Sequence, residues 1–160
     1  QRKRAWDEAK ARERRQKSSP RETESVLAGV ASTLPALIHS EKIQNRAANH
    51  GFDWPEVAPV FAKVQEELEE VREAVESGDQ RHIQEEVGDL LFVAVNLARH
   101  LKVNPEIALK ESNKKFARRF EYIEEQVSAS GRTLRQCQLE ELDALWHRAK
   151  EILKKSGDGG

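Results

Sequence analysis

Five acids stand at spacings that can do chemistry: Glu66, Glu67 and Glu70 in "EELEE", then Glu86 and Asp89 in "EEVGD", sixteen positions from Glu70 to Glu86. The second group runs straight into "LLFVAVNLA", the most apolar stretch of the chain. On a helix, residues three apart lie one turn above each other, so Glu67 with Glu70 and Glu86 with Asp89 each form a pair along one face. Asn96, seven residues past Asp89, returns to the same line. Polar groups within or beside an apolar segment need partners, because burying an unpaired charge is costly. If two such helices form a hairpin, four carboxylates converge across its groove. Like charges about 5 Å apart repel by roughly 3 kcal/mol per pair at an effective dielectric near 20, so the cluster must raise its pKa values or recruit a cation. All-oxygen ligands favour Mg²⁺ or Mn²⁺ over zinc, and the chain has no Glu-x-x-His of the di-iron kind.

A carboxylate centre that leaves its metal unsaturated suits phosphate ligands, and cations are expected nearby. Lys115 and Arg119 are four residues apart, as are Trp146 and Lys150, so each pair shares a helix face. No P-loop and no Gly-x-Gly-x-x-Gly occurs, which leaves metal and cationic side chains to hold phosphate. The five histidines have no zinc-like spacing, no nucleophilic Ser or Cys has a recognisable setting, and the lone Cys137 has no partner for an internal disulfide.

The elements that must position these residues read as helices. Eight Gly and five Pro in 160 residues, with 38% hydrophobic and 34% charged side chains, suit amphipathic helices in one domain. A helix is expected within "STLPALIHSEKIQNRAANHG", with Ser/Thr caps, Pro35 in its first turn and Gly51 as the stop. After the turn "FDWP", a second runs from about Glu56 to Glu76, with Val57, Phe61, Val64, Leu68, Val71 and Val75 as its apolar stripe. Asp79 caps a third to about Leu101, and "NPE" at 104–106 opens a fourth, carried inward by Leu109, Phe116, Phe120, Ile123 and Val127. The last spans roughly Leu139 to Leu153, with Leu142, Leu145, Trp146 and Ile152 as its apolar side. Gly88 costs its helix about 1 kcal/mol against Ala, which suggests that something packs close to it. These patterns specify an all-α fold, an antiparallel bundle of four to five helices.

Charge is uneven along the chain. Residues 1–17 carry eight Lys/Arg against three acids, and the remainder nineteen against twenty-five. With one aromatic and no nucleic-acid motif, the basic segment reads as a solvated helix or linker rather than a nucleic-acid arm, and "QKSSPRETES" as a polar linker. Residues 1–31 are therefore set apart from a body at 32–156. With no charged-apolar leader, and with "LLFVAV" far shorter than a membrane span, the expectation is a cytosolic, soluble protein; the lack of any Met suggests a piece of something longer.

Taken in order, the phrases resemble the MazG nucleoside triphosphate pyrophosphohydrolases. The family pattern Glu-Glu-x-x-Glu followed by Glu-x-x-Asp is matched by Glu66, Glu67, Glu70, Glu86 and Asp89, and "KIQNRAANHGFDW", "GDLLFVAVNLARHL", "NKKFARRF" and "LWHRAK" resemble its catalytic domain. "AWDEAKARERRQK" resembles the segment joining the family's tandem halves. The resemblance implies an all-α fold that dimerises through its helices and cleaves NTPs between the α and β phosphates with Mg²⁺. It makes Glu67, Glu70, Glu86 and Asp89 the metal ligands and Glu66 the outer carboxylate that orients or deprotonates water. Asn96, Lys115, Arg119, Trp146 and Lys150 would line the phosphate and nucleotide end, and Phe52 and Trp54 would stack the base. The partner is then a second copy or a tandem domain, with neither membrane nor nucleic acid expected. From another class, a non-catalytic MazG-like bundle that binds nucleotide or dimerises would use the same surfaces without turnover. The absence of product release from NTPs would separate it from the enzyme. An unpaired face on the near-continuous apolar helix is what a second copy would cover.

Overall fold

A computed structural model describes residues 2–17 and 25–155. Among these every regular element is a helix: α1 (Arg2–Lys17), α2 (Ala36–Ala48), α3 (Ala58–Ser77), α4 (Gln80–His100), α5 (Pro105–Ala129) and α6 (Leu139–Lys155), with a short 3₁₀ turn at Leu134–Gln136. The all-α expectation is met, and no strand competes among the described residues. Most of the expected polar linker, at 18–24, lies outside them. The chain divides into two compact units, residues 1–101 and residues 102–160.

In the first unit α4 is central, with α3 packed along it as a hairpin and α2 against it. The hairpin follows from its caps. Gly78 ends α3 at φ +73°, a left-handed conformation that costs glycine little, and Asp79 accepts a hydrogen bond from the Arg81 backbone N–H at 3.0 Å to start α4. At α2 the expected Ser/Thr cap is not made: Pro35 holds the cap position, extended at ψ 141°, and the helix starts at Ala36. Gly51, at φ +90°, turns the chain after α2 as its position suggested.

The buried line of α3 lies one residue off the expected stripe. Val60, Glu67 and Ala74 are buried and Val64 and Val71 half-buried, whereas Phe61, Leu68 and Val75 are exposed at 49%, 45% and 58%. The helix carries two adjacent apolar lines, and the one holding a carboxylate and an alanine is the one that packs. On α4, Val93, Val95 and Asn96 are buried, while Leu91 and Phe92 are exposed, so its apolar run is covered on part of its circumference only. Gly88 has open space where a Cβ would stand, so its lack of a side chain does not mark a close approach.

The second unit pairs α5 with α6. Asn104 caps α5 by accepting from the Ile107 N–H at 3.1 Å, with Pro105 in the first turn as expected. Ile123, Val127 and Ala149 are buried; Leu109, Phe116 and Ile152, expected inside, are about half exposed. In α1, the side chains from Lys3 to Arg12 are exposed, with Lys10 Nζ 4.2 Å above the Trp6 ring. That is a solvated basic helix.

Candidate functional site

The α3–α4 hairpin brings three of the predicted acids together. One oxygen each from Glu67, Glu70 and Glu86 lies within 4.8 Å of the others, a separation at which one divalent ion can reach all three. Burial sharpens the effect. Glu67 keeps 6% of its surface, and Oε2 of both Glu67 and Glu86 is buried with no hydrogen-bond donor. Burial pushes the Glu67 carboxyl above its ordinary range, the neighbouring Glu70 adds to the rise, and Lys63 opposes it. Buried acceptors without donors beside like charges fit an oxygen-ligated cation, which would satisfy both the lone pairs and the charge.

Lys63 is the local counter-charge. Its Nζ sits 3.2 Å from Glu67 Oε1 and 3.0 Å from Glu66 Oε1, and these contacts raise its own pKa. Glu66, adjacent in sequence to buried Glu67, leaves 56% of its side chain in water. His82 Nδ1 lies 3.9 Å from Glu86 Oε1. Asp89 stands outside the tight triplet among the described residues, exposed at the wall of the adjoining cleft.

That cleft has a volume of about 700 Å³ and belongs to the first unit. Glu67, Asp89 and Lys63 line it together with Ile43, Ala47, Phe92 and Val93, so it joins charged to apolar surface. Asn96, Phe52 and Trp54, all singled out from sequence, line the same space. Phe52 is 83% exposed and Trp54 42%. Neither aromatic is consumed by the core, which leaves both rings available to a ligand.

The turn carrying them is tied to the end of α4. Asp53 takes two hydrogen bonds from Arg99, Nη1 to Oδ2 at 3.0 Å and Nη2 to Oδ1 at 2.5 Å, and His100 Nε2 lies 2.9 Å from Oδ1. The guanidinium holds the Asp53 carboxyl below its ordinary range. Arg99 also donates to Asn96 Oδ1 from Nε at 3.2 Å and Nη2 at 2.9 Å, fixing that buried amide.

On the second unit, Arg119 is buried to 8% exposure, with its guanidinium carbon 5.2 Å from the Trp146 ring centre and its Nε without a partner. Phe116 meets Trp146 at 5.4 Å and stacks on Phe120 at 5.9 Å. Lys115 stands one turn before Arg119 on α5, and Lys150 one turn after Trp146 on α6, as their spacing required.

Sequence reading missed Lys63, Gln44, Asp53 and Arg99. Lys63 was findable, since it stands three and four residues before Glu66 and Glu67 on one helix. The pairing of Asp53 with Arg99 spans 46 positions and leaves no local signature.

A helical hairpin that gathers carboxylates at the edge of a cleft defines a candidate divalent-metal centre. Residues 56–124 match the MazG nucleotide pyrophosphohydrolase domain, which spans both acid groups and Arg119. The chain is 45% identical over 149 residues to the nucleoside triphosphate pyrophosphohydrolase of Escherichia coli strain K12, covering 91% of this chain and 54% of that protein. Nucleoside triphosphate pyrophosphohydrolase/pyrophosphatase MazG of Thermotoga maritima is 40% identical over 145 residues, with the same coverage of 91% and 54%. Bacillus subtilis YabN, an uncharacterized protein, is 41% identical over 152 residues, 94% of this chain and 30% of that one. This chain therefore carries a MazG domain at residues 56–124. It spans about half the length of the first two relatives.

Proposed function

We propose that this chain hydrolyses nucleoside triphosphates between the α and β phosphates, giving a nucleoside monophosphate and pyrophosphate, with Mg²⁺ as cofactor. The observation that carries this reading is the carboxylate triplet, with its two buried, donorless oxygens, at the edge of a cleft that also offers aromatic surface. Glu67, Glu70 and Glu86, with Asp89 beside them, would hold the cation, which when bound supplies charge neutralisation on the phosphates. Glu66 orients the attacking water and takes its proton. The water oxygen bonds to the α phosphorus, and the bond to the bridging oxygen breaks with its electron pair leaving on pyrophosphate. By the family resemblance, Lys115, Arg119 and Lys150 would offset the charge that develops on the leaving pyrophosphate, with Trp146 steadying Arg119. Asn96 binds at the cleft wall, while Phe52 and Trp54 take the base between aromatic faces. Residues 32–156 are the working domain, in the cytosol with the nucleotide pool. No helix among the described residues is long and apolar enough to cross a membrane.

Incubation with NTPs and Mg²⁺, followed by separation of products, tests the reaction. Equal amounts of monophosphate and pyrophosphate are expected; orthophosphate, or no product, would reject it in favour of a binding module. A partner helical domain, as a second copy or a tandem half, is part of the same proposal, supported by the exposed Phe61, Leu68 and Val75 line. Sedimentation at micromolar concentration should show a species heavier than one 18.2 kDa chain.

A further inference from the structure

Gln44 lines the cleft from α2 and keeps only 8% of its surface exposed. Its Nε2 donates both ways, to Ser40 Oγ at 3.1 Å and to the Phe92 carbonyl of α4 at 3.1 Å. With both N–H groups committed, the amide cannot flip without setting its oxygen against that carbonyl, so its orientation is fixed. Oε1 is left buried with no donor. A leucine would fill the place without leaving an unsatisfied acceptor, so the amide needs a reason. Around it the cleft is apolar and aromatic, with Ile43, Ala47, Phe52, Trp54 and Phe92. Such a surface suits a flat base better than a sugar, whose hydroxyls would lose water there without replacement.

We infer that Gln44 is a specificity residue of the cleft, its Oε1 accepting a hydrogen bond from the exocyclic amino group of a nucleobase. This rests on the triphosphate reading above. Because the amide is locked as an acceptor, the position recognises a donor and repels a second acceptor. Nearby, Asn96 has the opposite sense: Arg99 occupies its oxygen, so its amide N–H₂ is the side left to a ligand. A base that presents a donor beside an acceptor, as the Watson–Crick edge of adenine does, matches the two amides together.

The test compares ATP with purine riboside triphosphate, which has hydrogen in place of the amino group, and with dATP. Each is titrated calorimetrically with Mg²⁺ and assayed for turnover. ATP should bind at least tenfold more tightly than the purine analogue, equivalent to about 1.4 kcal/mol. In Gln44→Met that ratio should fall to within twofold, with the loss in KM rather than kcat. Gln44→Leu, which likewise removes the acceptor while keeping the place filled with apolar atoms, should give the same fall in the ratio and serves where Gln44→Met does not fold. Equal affinity of the wild type for ATP and the purine analogue overturns the inference, as does a larger loss with dATP, which would assign Gln44 to the ribose. If none of the three is hydrolysed the hydrolase reading fails, while the binding ratios still decide the role of Gln44.

Discussion

Asp53 and Arg99 form a two-point ion pair across 46 positions, joining the turn that bears Phe52 and Trp54 to the last turn of α4. The same guanidinium grips Asn96, so one side chain sets both an aromatic edge and an amide of the cleft. Position and recognition are thereby coupled.

Asp53→Asn should lower thermal stability by about 1–2 kcal/mol, and raise KM for NTP more than it lowers kcat, since the turn loosens while the carboxylates stay in place. The pH dependence has a definite sign. The Asp53 carboxyl is held below its ordinary 3.8, so its contribution is present above that value and lost as pH falls through the lower folded-state pKa. Melting curves between pH 2 and 5 should show this loss in the wild type and a smaller one in Asp53→Asn.

Glu70→Gln removes a charge that drives Glu67 upward. Because the folded-state pKa of Glu67 is raised above 4.5, its protonated form favours folding. Without divalent metal, wild-type stability should therefore fall as pH rises through that raised value. In Glu70→Gln the fall should be smaller, turnover at least a hundredfold lower, and the melting shift on adding Mg²⁺ reduced. Normal turnover would make the acids a solvated face.

Lys63→Met withdraws the cation that sits 3.2 Å from Glu67. Removing this competitor should tighten Mg²⁺ binding by a modest factor, roughly threefold, because solvent screens the pair. Affinity follows from calorimetric Mg²⁺ titration of the nucleotide-free protein. Weaker binding would mean that Lys63 organises the acids rather than competing at them.

Arg119→Lys is expected to behave as a loss. A lysine keeps the charge but not the planar face over Trp146 at 5.2 Å, and its stem places the ammonium differently. kcat should fall at least tenfold with the fold intact by circular dichroism. Activity near wild type would reduce Arg119 to a packing residue.

The acids were legible in the sequence because three-residue spacing on a helix fixes a shared face before anything is known of the partner. The caps at Asp79 and Asn104 were legible for a similar reason, each being settled within three residues. Which apolar line of α3 packs was not legible. Periodicity reveals a stripe but does not choose between two stripes 100° apart, and here the buried one is disguised by Glu67 and Ala74. Gly88 misled because a missing side chain has more causes than a close neighbour. Gln44 was invisible as a functional group, since its meaning depends on a carbonyl 48 residues away.

Glu66 and Glu67 are neighbours in the chain with opposite access to solvent: one keeps 56% of its side chain in water and the other 8%. For a base at Glu66, the consequence is kinetic. A proton taken there reaches buffer in a single hop, so no wire of side chains has to be reset between cycles. The buried neighbour, one peptide unit away, is left to the cation and takes no part in that proton's path.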